Sequence, residues 1–113
     1  MSQYDLEDRT EQFAMDCRKL VRAINKDIAN KEDCKQLTRS SGSVAANYIE
    51  ANEALSKKDF TFRIKICRKE VKESRLWLKL LKSDQNEINE LIHSLVNEAT
   101  ELLKIFSAII LKS

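Results

Sequence analysis

Apolar residues recur along this chain in steps of three and four almost from end to end, the spacing that stacks side chains on one face of an α-helix. Leu6, Phe13, Cys17, Leu20, Val21, Ile24 and Ile28 predict a first helix from about Asp5 to Ala29. Asp5, Glu7 and Asp8 fall in its first turns, where the helix dipole favours anions. A polar link, Asn30-Lys31-Glu32-Asp33, offers Asn30 or Asp33 as the next cap. Cys34, Leu37, Ser41, Val44, Tyr48 and Leu55 then mark the inward stripe of a second helix, about Asp33 to Ala54. Ser56 followed by Asp59 is a capping-box pattern that starts a third helix reaching Leu81. Asp84 followed by Glu87 does the same for a fourth, whose core face is Ile88, Ile92, Leu95, Ala99, Leu102, Phe106 and Ile109, broadened by Leu91, Leu103 and Ile110.

The third helix differs from the others. Phe60, Ile64, Cys67, Val71, Leu78 and Leu81 form its inward stripe, with Ser74 a poor fit. One position on, roughly 100° around the helix, stand Lys58, Lys65, Arg68, Lys72, Arg75, Lys79 and Lys82. A patchier outward stripe holds Phe62, Ile66, Leu76 and Leu80. A helix with two greasy flanks and a positive edge packs inward on its own bundle and outward on another subunit, leaving the edge for something anionic.

One glycine and no proline in 113 residues leave almost no turn chemistry for hairpins or sandwich loops. With short links, the pattern predicts an all-α fold, an antiparallel up-down-up-down four-helix bundle, as a single domain over residues 1–113. A mean hydropathy of -0.46 and no long uncharged apolar run argue against a membrane span. The acidic N-terminus lacks an apolar signal core, so the expected compartment is the cytoplasm. The net charge of +2 hides a segregation. Residues 57–82 hold ten lysines or arginines against three acids, a net of +7, while residues 83–113 hold two against five.

Chemistry-bearing residues are few. Cys17, Cys34 and Cys67 are odd in number, have no C-x-x-C spacing and sit on apolar stripes, which reads as buried reduced thiols. Glu90-Leu91-Ile92-His93 matches the Glu-x-x-His pair of di-iron bundles. Yet His93 is the sole histidine, and the core stripe through Ile88 and Ile92 turns both residues outward. The Arg-x(4–6)-His pair of helical RNases is missing too, since no arginine follows Arg75. No metal, cofactor or catalytic residue is therefore expected, and the chain does not read as an enzyme. The run Ser40-Ser41-Gly42-Ser43 would break a helix on propensity alone. The periodicity of Leu37, Val44 and Tyr48 through it favours close approach of a neighbouring helix over a ligand-facing loop. Asn47 and Glu50, three apart in an apolar setting, satisfy each other or a nearby helix end, with binding the lesser reading. Trp77, beside the core stripe, reads as packing.

The basic row is the feature above background. Solvated charged faces interleave acids at i,i+4; this row contains none across seven positions. Lys65, Arg68, Lys72, Arg75, Lys79 and Lys82 are the expected phosphate contacts to RNA or DNA, acting by counterion release with little sequence preference. Phe62, Ile66, Leu76 and Leu80 are the expected oligomer interface. A rival reading is a protein–protein scaffold in which the cations meet Glu87, Glu90, Glu98 and Glu101 on helix four of a neighbour.

The segment from Gln36 to Ala51, QLTRSSGSVAANYIEA, followed by Ser56-Lys57-Lys58-Asp59-Phe60 and Ile66-Cys67-Arg68-Lys69-Glu70, resembles a bacterial four-helix-bundle family first found encoded within intervening sequences of 23S ribosomal RNA genes. The match rests on Gln36, Leu37, Arg39, Ser43, Val44, Asn47, Glu50, Ser56, Lys57 and Phe60. Many relatives carry proline where this chain has Ala45 and glycine where it has Ala51, so its second helix is expected to be straighter. The resemblance implies an antiparallel bundle assembled as a homopentameric ring, and no catalytic residues. A related branch, the accessory variability determinant of diversity-generating retroelements, binds nucleic acid through a basic surface and partners a reverse transcriptase. A nucleic-acid-processing protein is thus a second expected partner.

Overall fold

The computed structural model describes residues 3–113, with side chains from Asp5 onward. Four helices follow in chain order: α1 Gln3–Ala23, α2 Ile28–Asn52, α3 Lys57–Leu80 and α4 Asn86–Lys112. The links 24–27, 53–56 and 81–85 are too short to run back along a partner. A helix of 24 residues is about 36 Å long, whereas four residues reach about 14 Å. Successive helices are therefore antiparallel. Among the described residues α1 neighbours α2 and α4, α3 neighbours the same two, and the diagonal pairs do not meet. The result is an up-down-up-down four-helix bundle.

All four helices contribute to one apolar cluster, with Phe13, Leu20, Leu37, Val44, Ile64, Val71, Leu78, Leu102 and Phe106 sealed from solvent. The small-residue run stays helical because it lies at the tightest seam. Ser40 and Ser41 are fully buried, and Ser40 Oγ meets Ser74 Oγ at 2.7 Å across α2 and α3. Each hydroxyl also has a backbone acceptor on its own helix, the Glu70 carbonyl at 2.9 Å for Ser74 and the Leu37 carbonyl at 3.4 Å for Ser40, so either serves as donor between the two. Ser74 is thus the hydroxyl that lets α3 approach α2, which accounts for its poor apolar fit. On the other side of α2, Gly42 lies under Arg18 of α1, where an added Cβ would come within 3.0 Å of a guanidinium nitrogen.

Three boundaries differ from the sequence expectation. α1 stops at Ala23, because Asp27 caps α2 by accepting the Asn30 backbone N–H at 2.8 Å. The expected link 30–33 therefore lies inside α2, and Ile28, placed on the core stripe by its spacing, opens α2 almost wholly exposed. α2 ends at Asn52, so Leu55 is fully exposed in the link and Ala51 takes its core position. α4 begins at Asn86 with Gln85, not Asp84, in the cap position and no side-chain cap bond; the Ser83 hydroxyl accepts the Gln85 N–H at 3.0 Å. Ser56 caps α3 as read, accepting the Asp59 N–H at 3.0 Å.

Asn30 has a task its sequence position hid. Buried in the first turn of α2, it donates to Asn25 O at 2.9 Å and Lys82 O at 2.7 Å, and accepts the Lys82 N–H at 3.1 Å. One amide thereby ties the α1–α2 link to the α3–α4 link.

Cys17, Cys34 and Cys67 are free and buried. Burial pushes the Cys17 and Cys67 thiols up to about 12. In the unfolded chain they ionise near the ordinary thiol value of about 8.5. The fold therefore holds more protons than the unfolded chain above that pH. This contribution to stability is complete below about pH 8.5 and is lost as pH rises towards 12. Thermal melts between about pH 8 and 11 should fall more steeply for the native protein than for a Cys17→Ala/Cys67→Ala variant, and parallel curves would contradict the assignment.

Candidate nucleic-acid interface

The 100° step between residues turns α3 into three parallel faces, and the bundle sorts them. The inward face is buried between α2 and α4. On the α4 flank, Lys65, Arg68, Lys72, Arg75 and Lys79 line one open groove of about 820 Å³. Leu76 and, from α4, Leu103 and Ser107 supply its apolar and neutral walls. Lys69, outside the predicted row, also lines it, as does Glu73 at the outer edge. Lys82 does not join them. It lies past the end of α3, its backbone is engaged by Asn30, and its side chain is exposed near the clasp.

The electrostatics of the groove follow from where the acids are. Among the described residues four ion pairs form: Arg9–Glu98, Arg39–Glu70, Arg39–Glu73 and Lys104–Glu101. None uses a groove cation. Glu73, the one carboxylate at the rim, is held by Arg39 of α2 at 3.3 Å. Arg75 is half-buried, and its Nε–H is shielded from solvent with no hydrogen-bond partner. A row of like charges without counter-charges raises the local potential and repels itself.

The outward apolar stripe is exposed in the single chain at Phe62 (56%), Leu76 (48%) and Leu80 (45%), with Ile66 half-buried. Lys69 and Glu73 fall between its two halves on the same face. Leu76 belongs to the groove as well as to the stripe. Arg63 lies over the Phe62 ring, 5.9 Å from its centroid. It also donates to Asn47 Oδ1 at 3.1 Å, and Asn47 in turn donates to Ser43 O and Oγ at 3.0 Å.

Two of the residues that carried the family resemblance, Arg39 and Asn47, bridge α2 and α3. Arg39 meets Glu70 at 2.9 Å, and that hydrogen bond raises the arginine above its ordinary value. Asn47 partners Arg63 and Ser43, whereas Glu50 is exposed. Trp77 packs against the core, as expected. Glu90 and His93 are exposed on α4, facing away from the core. Arg9 clamps Glu98 with two hydrogen bonds of 2.7 and 2.8 Å, closing α1 against α4. No helix among the described residues is long and apolar enough to cross a membrane.

Comparison with known proteins adds a family. The model described as 23S rRNA-intervening sequence protein matches residues 3–108. Among solved structures, a Bacteroides thetaiotaomicron protein with unknown function from the S23 ribosomal protein family is 30% identical. It superposes with a TM-score of 0.77, over 92% of this chain and 96% of that one. No curated protein matches the sequence.

Proposed function

The chain belongs to the 23S rRNA-intervening sequence protein family, and we propose that it is a non-enzymatic bundle that binds RNA or DNA along the α3–α4 groove. The observation that carries this reading is the set of cations at Lys65, Arg68, Lys72, Arg75 and Lys79, gathered along one open channel without a carboxylate partner. Lys69 adds a sixth. Phosphates supply the missing counter-charge, and displaced counterions supply the driving force. Lys82 contacts a phosphate only where the ligand extends past the end of α3.

The salt dependence of binding tests it. With six contacts to a duplex, log affinity against log salt falls with a slope of about −5. Fluorescence anisotropy from roughly 50 to 200 mM salt measures that slope. A flat dependence, or no binding at the lowest salt, sinks the reading.

The same protein self-associates through Phe62, Ile66, Leu76 and Leu80, in the cytoplasm, where its three free thiols stay reduced. The exposure of three of these four side chains supports that assembly. A closed ring of five copies of 13.1 kDa weighs about 65 kDa by light scattering; a mass of one chain overturns it. The scaffold alternative ranks behind. Glu98 and Glu101, two of the four acids it needs, are already bound to Arg9 and Lys104 of their own chain.

A further inference from the structure

We infer that the groove takes the sugar–phosphate backbone of a double-stranded nucleic acid, held by charge and shape without base stacking; this rests on the nucleic-acid reading above and narrows its ligand. Two observations carry it. The first is the straightness of the cation row. Lys65 to Lys79 covers 15 residues of uninterrupted helix, 14 steps or about 21 Å. A duplex presents a stiff line of charge, one for about every 1.7 Å of axis, already ordered before it binds.

The second is the placement of the aromatic side chains. Proteins that hold single strands repay the ordering of a flexible chain by stacking its bases on aromatic rings. None lines this groove, whose uncharged walls are Leu76, Leu103 and Ser107. Phe13, Tyr48 and Phe106 are in the core, and Phe60 and Trp77 pack against it. Phe62, the exposed aromatic among the described residues, lies on the outward stripe, roughly 100° around α3 from the cation row. A single strand would therefore be immobilised along the row with no stacking in return. α4 walls one side of the row, which prevents α3 from burying this face in a major groove to read base edges. The contact is with the backbone alone and is indifferent to sequence.

Anisotropy with labelled DNA and RNA duplexes of about 20 base pairs, and with their unpaired component strands, tests this at roughly 0.1 M salt. A duplex should bind at least about tenfold more tightly than either of its strands. Exchanging A·T-rich for G·C-rich duplexes should change affinity by less than about threefold. A smaller duplex preference, a preference for the strand, or a larger composition effect overturns the inference. Lys72→Glu/Lys79→Glu and a charge-matched Lys19→Glu/Lys31→Glu variant away from the groove separate it from the parent reading. If the groove variant loses binding and the control keeps it while strands bind as well as duplexes, this inference alone fails. If nothing binds, or both variants bind as the native protein does, the nucleic-acid reading itself falls.

Discussion

The double variant Lys72→Glu/Lys79→Glu binds a nucleic-acid duplex about a hundredfold more weakly than the native protein at roughly 0.1 M salt, and unfolds at the same temperature. The size follows from counterion release. Each phosphate contact contributes about 0.9 to the slope against log salt, which is about eightfold in affinity at that concentration. Two contacts give about sixtyfold, and repulsion by the new carboxylates adds the rest. The slope itself should flatten by about two. Stability should hold because both ammonium groups are exposed and unpaired. Arg75 is a poorer choice, since its half-buried guanidinium mixes binding with packing. Binding that survives the double reversal would remove the groove from the function.

Arg39→Met should cost about 2–3 kcal/mol in a urea melt, although the arginine is a largely surface residue. Its partner decides the size. The Glu70 side chain is only 7% exposed against 53% for Arg39, so removing the guanidinium leaves a carboxylate enclosed between α2 and α3. The attraction itself is screened at the exposed end and contributes little; the penalty is the stranded charge. Arg39→Met/Glu70→Leu should therefore recover to within about 1 kcal/mol of the native protein. A double variant as weak as the single one would show that the seam depends on the ion pair for something other than neutralising Glu70.

The helices were legible because a period of three and four is written in the apolar residues of each, and it survives even where Ser40, Ser41 and Ser74 replace them. What periodicity cannot read is which polar residue stops a helix. Ile24 and Ile28 keep step with α1, yet the Asp27 side chain captures an N–H three residues on and starts α2 between them. Leu55 likewise keeps the α2 rhythm one turn after the backbone has left it. The cation row was legible from its 100° offset, since any helix buried at Ile64, Val71 and Leu78 must turn Lys65, Lys72 and Lys79 to one flank. Its apolar wall was hidden, because Leu103 comes from a different helix and only the packing of α3 on α4 brings it there. The work of Arg39 and Asn47 was hidden for the same reason. Their partners, Glu70 and Arg63, are far along the chain, and no spacing rule reaches across two helices.

The Asn30 amide rivets two hairpins together at one end of the bundle. It pins the hairpin α1–α2 to the hairpin α3–α4, so sliding one along the other would break its contacts to both backbone groups of Lys82 together. Shear is therefore resisted at this end, while the four-residue α2–α3 link stitches the same two hairpins together at the other. At that opposite end Leu55, in the α2–α3 link, and Leu111, in the last turn of α4, stand clear of the core.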